Sequence, residues 1–314
     1  MQRNPRKIII GGGITGLIWN FYHPEFYIIT PESSGETFTR TYMVWLHDEV
    51  ETRKLLTDLG FDNVEKMRKR SPIGYFNRHW IADYQTREMN LKMIQKKMTP
   101  WDKEVNTSFI PKTTDMSLSV IGGDNYLNTL DVDLVEIIKR LNEKATIVNG
   151  FVTKITDKDI TVKQNFKDVN SEIFEYDELI STIAAPFFWK GFGQEKEFLC
   201  LPITNIVTSV KPKEFNDRYE MVYYDDSVPF SRISHLGGKY ALEFTGEITK
   251  DAFEKLYPEL KVDDYFVVKQ GRIFENDSNE PPNERITFTG RFGRWQYGIT
   301  AEHVVAQALN YKNN

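Results

Sequence analysis

The residues of this chain best suited to chemistry stand in four places. Gly11-x-Gly13-x-x-Gly16, inside KIIIGGGITGL (residues 7–17), has the spacing of a turn that cradles the phosphates of a dinucleotide. In such a turn the first glycine makes the bend, the second lets a pyrophosphate approach the backbone, and the third lets helix and strand pack closely. An ordinary glycine-rich strand-to-helix turn is the alternative. Arg232, in VPFSRISH, is a candidate for a bidentate contact to an anionic group, against a plain salt bridge to Asp225 or Asp226. His47 and His235 titrate near neutrality and are candidate proton carriers, with a structural role as the alternative for each. Gly290-Arg291, in FTGRFGRWQYGIT, opens a second glycine turn ahead of a helix, where free N–H groups favour negative charge and Arg291 adds an ordered cation. His, Asp and Glu show no metal-ligand spacing, and no GxSxG elbow occurs. The single cysteine, Cys200, rules out an internal disulfide or a thiolate cluster and reads as a buried structural residue.

These residues need elements to position them. Lys7 to Ile10 is short, β-branched and bounded by glycine, which predicts a buried parallel strand. The spacing then predicts a helix from Ile14 to Tyr22, with Ile14 and Thr15 opening it beside the phosphates, and a second strand from Phe26 to Ile29. A carboxylate ordinarily ends that second strand to hold ribose hydroxyls. Here Thr30 stands at that point and Glu32 follows two residues later; either Glu32 or, more weakly, Thr30 is the ribose ligand, with a solvated turn residue as the alternative for Glu32.

Further on, EVETRKLLTDL (49–59) has helical spacing ending at Gly60, and IGYFNRHWI (73–81) reads as a hairpin turning at Asn77-Arg78. Residues 84–101 read as a charged helical stretch and 131–142 as an amphipathic helix. ATIVNGFVTKITDKDITV reads as two strands with Asp157-Lys158-Asp159 at the turn, and FEYDELISTIAAP as a strand before small residues and proline. NIVTSVKP, MVYYDDSVPFSRISHL and KYALEFTGE suggest an antiparallel sheet, followed by a helix from Thr249 to Leu256. Near the end, residues 286–309 read as strand, glycine-arginine turn, aromatic pair and helix.

The fold class expected is α/β: a Rossmann-like nucleotide-binding domain interleaved with a smaller α+β substrate domain that contains an antiparallel sheet. The nucleotide domain is expected from residues 1–70, 118–192 and 284–314, and the substrate domain from 71–117 and 193–283. The 314 residues suffice for two interlocked domains, and 40% hydrophobic with 27% charged residues fits a globular protein. The net charge of −5 gives no support to a nucleic-acid partner, though a local basic groove is not excluded by it. No run of apolar residues is long enough for a membrane span. The short first apolar run is unlike a signal peptide, so a cytoplasmic location is expected.

With these segments in view, the chain resembles the amine oxidase, protoporphyrinogen oxidase and UDP-galactopyranose mutase group of flavoproteins. IIIGGGITGL, VTKITDKDITV…YDELISTIAAP and FTGRFGRWQYGITAEHVVAQAL are similar, in that order, to the three separated FAD-binding segments of the group. The resemblance implies FAD as cofactor, with Gly11, Gly13 and Gly16 at its pyrophosphate and Val152 meeting the adenine through its backbone. It places Gly290 and Arg291 at the ribityl and ring end, and points the helix from about Ile299 toward the flavin. VYYDDSVPFSRISH is similar to the mutase segment whose arginine contacts the substrate diphosphate, which puts Arg232 there. YMVWLHDEVETRKLL is similar to a histidine-bearing mutase stretch near the flavin, which puts His47 there. Where many amine oxidases carry a lysine, this chain has Thr208 or Ser209, and it is shorter than typical mutases.

Flavin chemistry needs an apolar slot over the ring, and Tyr223, Tyr224, Trp295 and Tyr297 are the candidates to line it, with core packing as the alternative for each. The first functional reading is an FAD-dependent oxidoreductase that oxidises an amine-bearing or similar small molecule, nucleotide-like or carrying an anionic group for Arg232. The second is a redox-neutral nucleotide-sugar mutase. Two further readings are a viral-type oxidation of a modified nucleotide or DNA base, and a flavin-binding scaffold without turnover.

Overall fold

The computed structural model describes residues 6–31, 46–62, 64, 73–76, 79–81, 92, 95–104, 130, 132–165, 167–215, 221–236, 238–274, 276, 278–296 and 298–311. In chain order the first elements are β1 (Lys7–Ile10), α1 (Ile14–Tyr22), β2 (Phe26–Thr30), α2 (Val50–Asp58), β3 (Ile73–Phe76), β4 (His79–Ile81) and α3 (Leu134–Lys144). Then come β5 (Ile147–Asn149), β6 (Phe151–Ile155), β7 (Asp159–Lys163), β8 (Glu172–Glu175), β9 (Glu178–Ser181), α4 (Ala185–Gly191) and β10 (Cys200–Thr208). The last are β11 (Met221–Tyr224), β12 (Arg232–Leu236), β13 (Lys239–Thr245), α5 (Lys250–Leu256), β14 (Asp264–Ile273), β15 (Ile286–Phe288), α6 (Gly290–Arg294) and α7 (Ala301–Asn310).

Within the described residues, a parallel sheet runs in the order β15-β9-β1-β2-β5. Its centre is β1, buried along its whole length, with Ile9 opposite Ile28 on one side and Ile180 on the other. A strand covered on both faces must be apolar at every position, and KIII meets that condition through the stem of its lysine, whose ammonium reaches Glu178. Helix α1 lays Leu17, Ile18 and Trp19 on one face of this sheet, in a core with Leu55 of α2, Ile137 and Leu141 of α3, and Val304 and Val305 of α7. It stops at His23 because Pro24 cannot extend it. The other face packs on Phe188 and Trp189 of α4, with Ile155, Ile160 and Trp295.

The second sheet is mostly antiparallel, in the order β14-β10-β13-β12-β11-β3-β4. Its two faces differ. Ile206, Val222, Tyr224, Ile233, Leu242 and Phe244 form one apolar core with Phe253 of α5. Because neighbouring side chains on a strand point to opposite sides, the residues between them face the other way. A third, antiparallel sheet, β6-β7-β8, packs Ile155, Ile160 and Val162 against the α4 side of the parallel sheet.

Several expectations need correction. The stretch read as two strands after residue 144 is three, because Gly150 separates β5 from β6 and β5 joins the parallel sheet beside β2. At Gly150 a β-carbon would overlap the Val162 side chain, so the chain can cross β7 there only without one. The ten-residue strand β14, helix α4 and strand β8 were not expected. The turn Asn77-Arg78 and most of residues 84–101 lie outside the described residues. No helix among the described residues is long and apolar enough to cross a membrane.

Candidate functional site

The first glycine turn joins β1 to α1. Gly11 has φ +105°, which L side chains rarely adopt, and its N–H donates to the Ile29 carbonyl at 2.9 Å. A β-carbon on Gly16 would overlap the Gly11 carbonyl oxygen, so helix and strand touch through backbone alone. On Gly12 it would lie 2.8 Å from Thr30 Oγ1. Gly13 differs from its neighbours. Nothing lies within 4 Å of a β-carbon built on it, and it is exposed. Gly13 is also the N-cap of α1, and no side chain caps the helix there. Among the described residues no side chain takes the leading N–H groups of α1, which carry the positive end of the helix dipole. A helix end of this kind favours an anion.

The second glycine turn comes to the same place. Gly290 has φ +72°, and a β-carbon on it would sit 2.6 Å from Thr15 Oγ1 in the first turn of α1. Trp19 on α1 donates its indole N–H to Thr289 Oγ1 at 2.9 Å, and Thr289 in turn bonds Gln307 of α7 at 2.7 Å. Arg291 donates to the Gly271 carbonyl on β14 at 2.9 Å, which ties the turn to the second sheet. The structure thus sets Gly290 against Thr15, beside Gly11, Gly13, Ile14 and Gly16 of the first turn, with Arg291 next in the chain. Val152 lies on β6 with its side chain against the core of the α4 side. Thr30 ends β2, packed over Gly12 and nearly buried. Glu32 and Tyr297 lie outside the described residues.

Trp295 caps α6 in the left-handed conformation, φ 55°. It is fully buried beside Phe198 and in the core with Trp189, so it supports the turn from beneath and does not line an open slot. Ile299 packs against the core of α1 and α7, and the helix it leads into starts at Ala301 behind the N-cap Thr300.

His47 joins this region through an unexpected partner. Its Nδ1 lies 2.8 Å from Glu302 Oε1, in the first turn of α7, and both side chains are largely buried. The hydrogen bond to Glu302 raises the imidazole above its ordinary range, against the opposing effect of burial. Burial pushes the Glu302 carboxyl up, but bonds from His47, Thr300 and the backbone outweigh it and hold the group down at about 2. The hydrogen bond favours the charged form of both partners and fixes residue 47 to the start of α7.

The second sheet carries a buried polar row. Register places Tyr223 opposite Arg232, Arg232 opposite Glu243, and Glu243 opposite Asn205, across β11, β12, β13 and β10. Glu243 is fully buried. It accepts from Arg232 at 2.6 Å through one oxygen and from Arg272 through the other, and Ser231 Oγ donates to it at 3.2 Å. Arg272 also bonds the Lys97 carbonyl, and the Lys97 ammonium stands 4.4 Å from the centre of the Tyr223 ring. Among the described residues Arg232 forms its ion pair with Glu243, where its sequence neighbourhood suggested Asp225 or Asp226. A carboxylate clamped between two guanidiniums holds both cations in fixed orientation.

Two candidates are corrected by strand parity. Tyr224 follows Tyr223 and so faces the apolar core, fully buried, with its hydroxyl donating to the Glu214 carbonyl at 2.7 Å. His235 is three residues from Arg232 and also faces away, stacked on Tyr240 at 4.5 Å and close to Phe215. Tyr223 remains on the face with Arg232. Sequence reading missed Glu243, Arg272, Asn205 and Glu302. The available signal was a charged residue between Leu242 and Phe244 in a strand otherwise fit for a core.

A five-stranded parallel sheet, two glycine turns that meet at the start of α1, and a seven-stranded mostly antiparallel sheet define the fold. The chain has that fold in common with reduced UDP-galactopyranose mutase, at 15% identity over 98% of this chain and 93% of that one, TM-score 0.61. Cyclohexylamine oxidase from Brevibacterium oxydans matches at 10% identity over 98% and 97%, TM-score 0.61. Putrescine oxidase with putrescine bound matches at 10% identity over 97% of both chains, TM-score 0.56. No protein-family model matches the chain, and no curated protein matches it by sequence.

Proposed function

We propose that the protein is an FAD-dependent oxidoreductase that oxidises a small, amine-bearing or similar molecule carrying an anionic group. The observation behind this reading is the contact of Gly290 with Thr15, which sets the second glycine turn against the uncapped N-terminus of α1. In this reading residues 1–70, 118–192 and 284–314 hold the cofactor, and residues 71–117 and 193–283 the substrate. Bound FAD supplies a two-electron acceptor for the hydride that leaves the substrate carbon. Around it, Gly13 admits the pyrophosphate, Thr15 and Gly290 hold the turn closed, and Arg232 orients the substrate's anionic end. Tyr223 offers a ring beside that cation, 5.8 Å from the guanidinium carbon. The hydrogen bond to Glu302 favours the protonated form of His47, which suits it to donate a proton more than to accept one.

A redox-neutral transfer on a nucleotide sugar is the second reading. It is favoured by the position of Arg232, locked by Glu243 on the polar face of the second sheet.

Protein purified without added cofactor is expected to be yellow and to release FAD on denaturation. Anaerobic bleaching by a candidate amine, with recovery in air, supports the oxidase. Turnover that needs prior chemical reduction but consumes no reductant supports the transfer. A colourless protein that takes up no added FAD overturns both.

A further inference from the structure

The polar row of the second sheet also contains Asn205, opposite Glu243. Asn205 is fully buried, yet neither its Nδ2 nor its Oδ1 has a hydrogen-bond partner. Ser234, two residues along β12 from Arg232 and on the same face, is also buried, with an unpartnered Oγ. The apolar core lies on the opposite face, so both groups look toward the side that carries Glu243, Arg232 and Tyr223. A buried amide or hydroxyl without a partner is destabilising, and such groups are ordinarily satisfied by protein, water or ligand. Placing two of them beside a locked Arg–Glu–Arg cluster is hard to explain by packing, because a valine or leucine would serve packing better.

We propose that Asn205 is a substrate-reading residue: it pairs with a hydroxyl or amide of a ligand whose anionic group is held at Arg232. The proposal rests on the reading of Arg232 given above and narrows the substrate class. An amide that offers both a donor and an acceptor selects a ligand group that does the same, and it disfavours a purely hydrocarbon one. Asn205 and Arg232 are two strands apart, so their backbones are separated by roughly 10 Å. With side chains reaching inward, a ligand with its anion and its hydroxyl three or four bonds apart bridges them. The substrate is therefore a small hydroxylated or amide-bearing anion.

A matched pair of probes tests this. Glycerol 3-phosphate and n-propyl phosphate have the same chain length and charge and differ by two hydroxyls. Calorimetric titration of the wild-type protein as purified should show glycerol 3-phosphate bound about tenfold more tightly, the equivalent of about one good hydrogen bond. Asn205→Leu should abolish that preference while leaving propyl phosphate binding within twofold. The same substitution should raise the melting temperature of the unliganded protein, since it removes an unsatisfied buried amide. Asn205→Ala gives the same reading of the preference should leucine overfill the site. Arg232→Ala should weaken both probes and leave their ratio unchanged. A preference that survives both Asn205 substitutions overturns the proposal, as does wild-type protein that binds neither probe or binds both equally. Wild-type protein that takes up no FAD but keeps an Asn205-dependent preference supports this inference and refutes the proposed oxidase instead.

Discussion

Replacing Gly13 by aspartate separates cofactor binding from folding. The position has φ −70° and ψ 177°, open to any residue, and a β-carbon there has nothing within 4 Å. The first turn of α1 has no acidic residue and no side-chain cap. Aspartate is one of the better N-caps, so Gly13→Asp should leave the apoprotein as stable as wild type or a few tenths of a kcal/mol more so. The same carboxylate takes the N–H groups a pyrophosphate would use and adds a negative charge beside it. Two unit charges about 4 Å apart near a protein surface repel by about 4 kcal/mol, which is about a thousandfold in affinity.

The assay is thermal melting with and without FAD, backed by titration of flavin fluorescence. At FAD 100-fold above its dissociation constant, wild type should gain about 2.7 kcal/mol. At that concentration a variant a thousandfold weaker gains less than about 0.1 kcal/mol and shows no shift in its melt. A folded Gly13→Asp protein with wild-type FAD affinity would refute the placement of the pyrophosphate. An apoprotein destabilised by more than about 1 kcal/mol would refute the claim that the space before Gly13 is open.

Gly16→Ala should behave in the opposite way: its methyl meets the backbone oxygen of Gly11, which cannot move aside, so the apoprotein should lose about 3 kcal/mol or more in denaturant unfolding. Glu243→Gln keeps the shape of the side chain but leaves Arg232 and Arg272 facing a neutral group, and should cost about 3–5 kcal/mol of stability by the same measurement. The His47–Glu302 bridge predicts a pH window. The Glu302 contribution is present above its ordinary 4.5 and lost as pH falls toward about 2. The His47 contribution, from a group raised above 6.5, is complete below 6.5 and lost as pH rises through the folded value. The stability difference between wild type and His47→Gln should therefore be greatest between about pH 4.5 and 6.5 and shrink on both sides; a difference independent of pH would show that the bridge is not ionic.

The β1-α1-β2 unit was legible because its signals are local. A strand buried on both faces must be apolar throughout, and a turn with backbone contact at Gly16 must lack a side chain there; KIIIGGGITGL satisfies both conditions within eleven residues. The helices α1, α3 and α5 were legible from local spacing; the caps Asp133 and Thr249 emerge from the structure. Strand β14 was not, because DYFVVKQGRI mixes exposed and half-buried positions and ends on the buried Arg272, whose partner Glu243 is far away in sequence.

The polar row shows why the site itself was harder to read than the elements that carry it. Alternation along one strand says that Tyr223 and Tyr224 point opposite ways, but not which of them faces the core. That is decided by the pairing partners. Leu242 and Phe244 commit one face of β13 to the apolar core, so Glu243 must face the other. Register then carries the assignment outward, from Glu243 to Arg232 and Tyr223 on one side and to Asn205 on the other. A single charged residue between two large apolar ones fixes the face of four strands. Once that parity is set, Tyr224 and His235 could only have been core residues, and Asn205 could only have been turned toward the arginines.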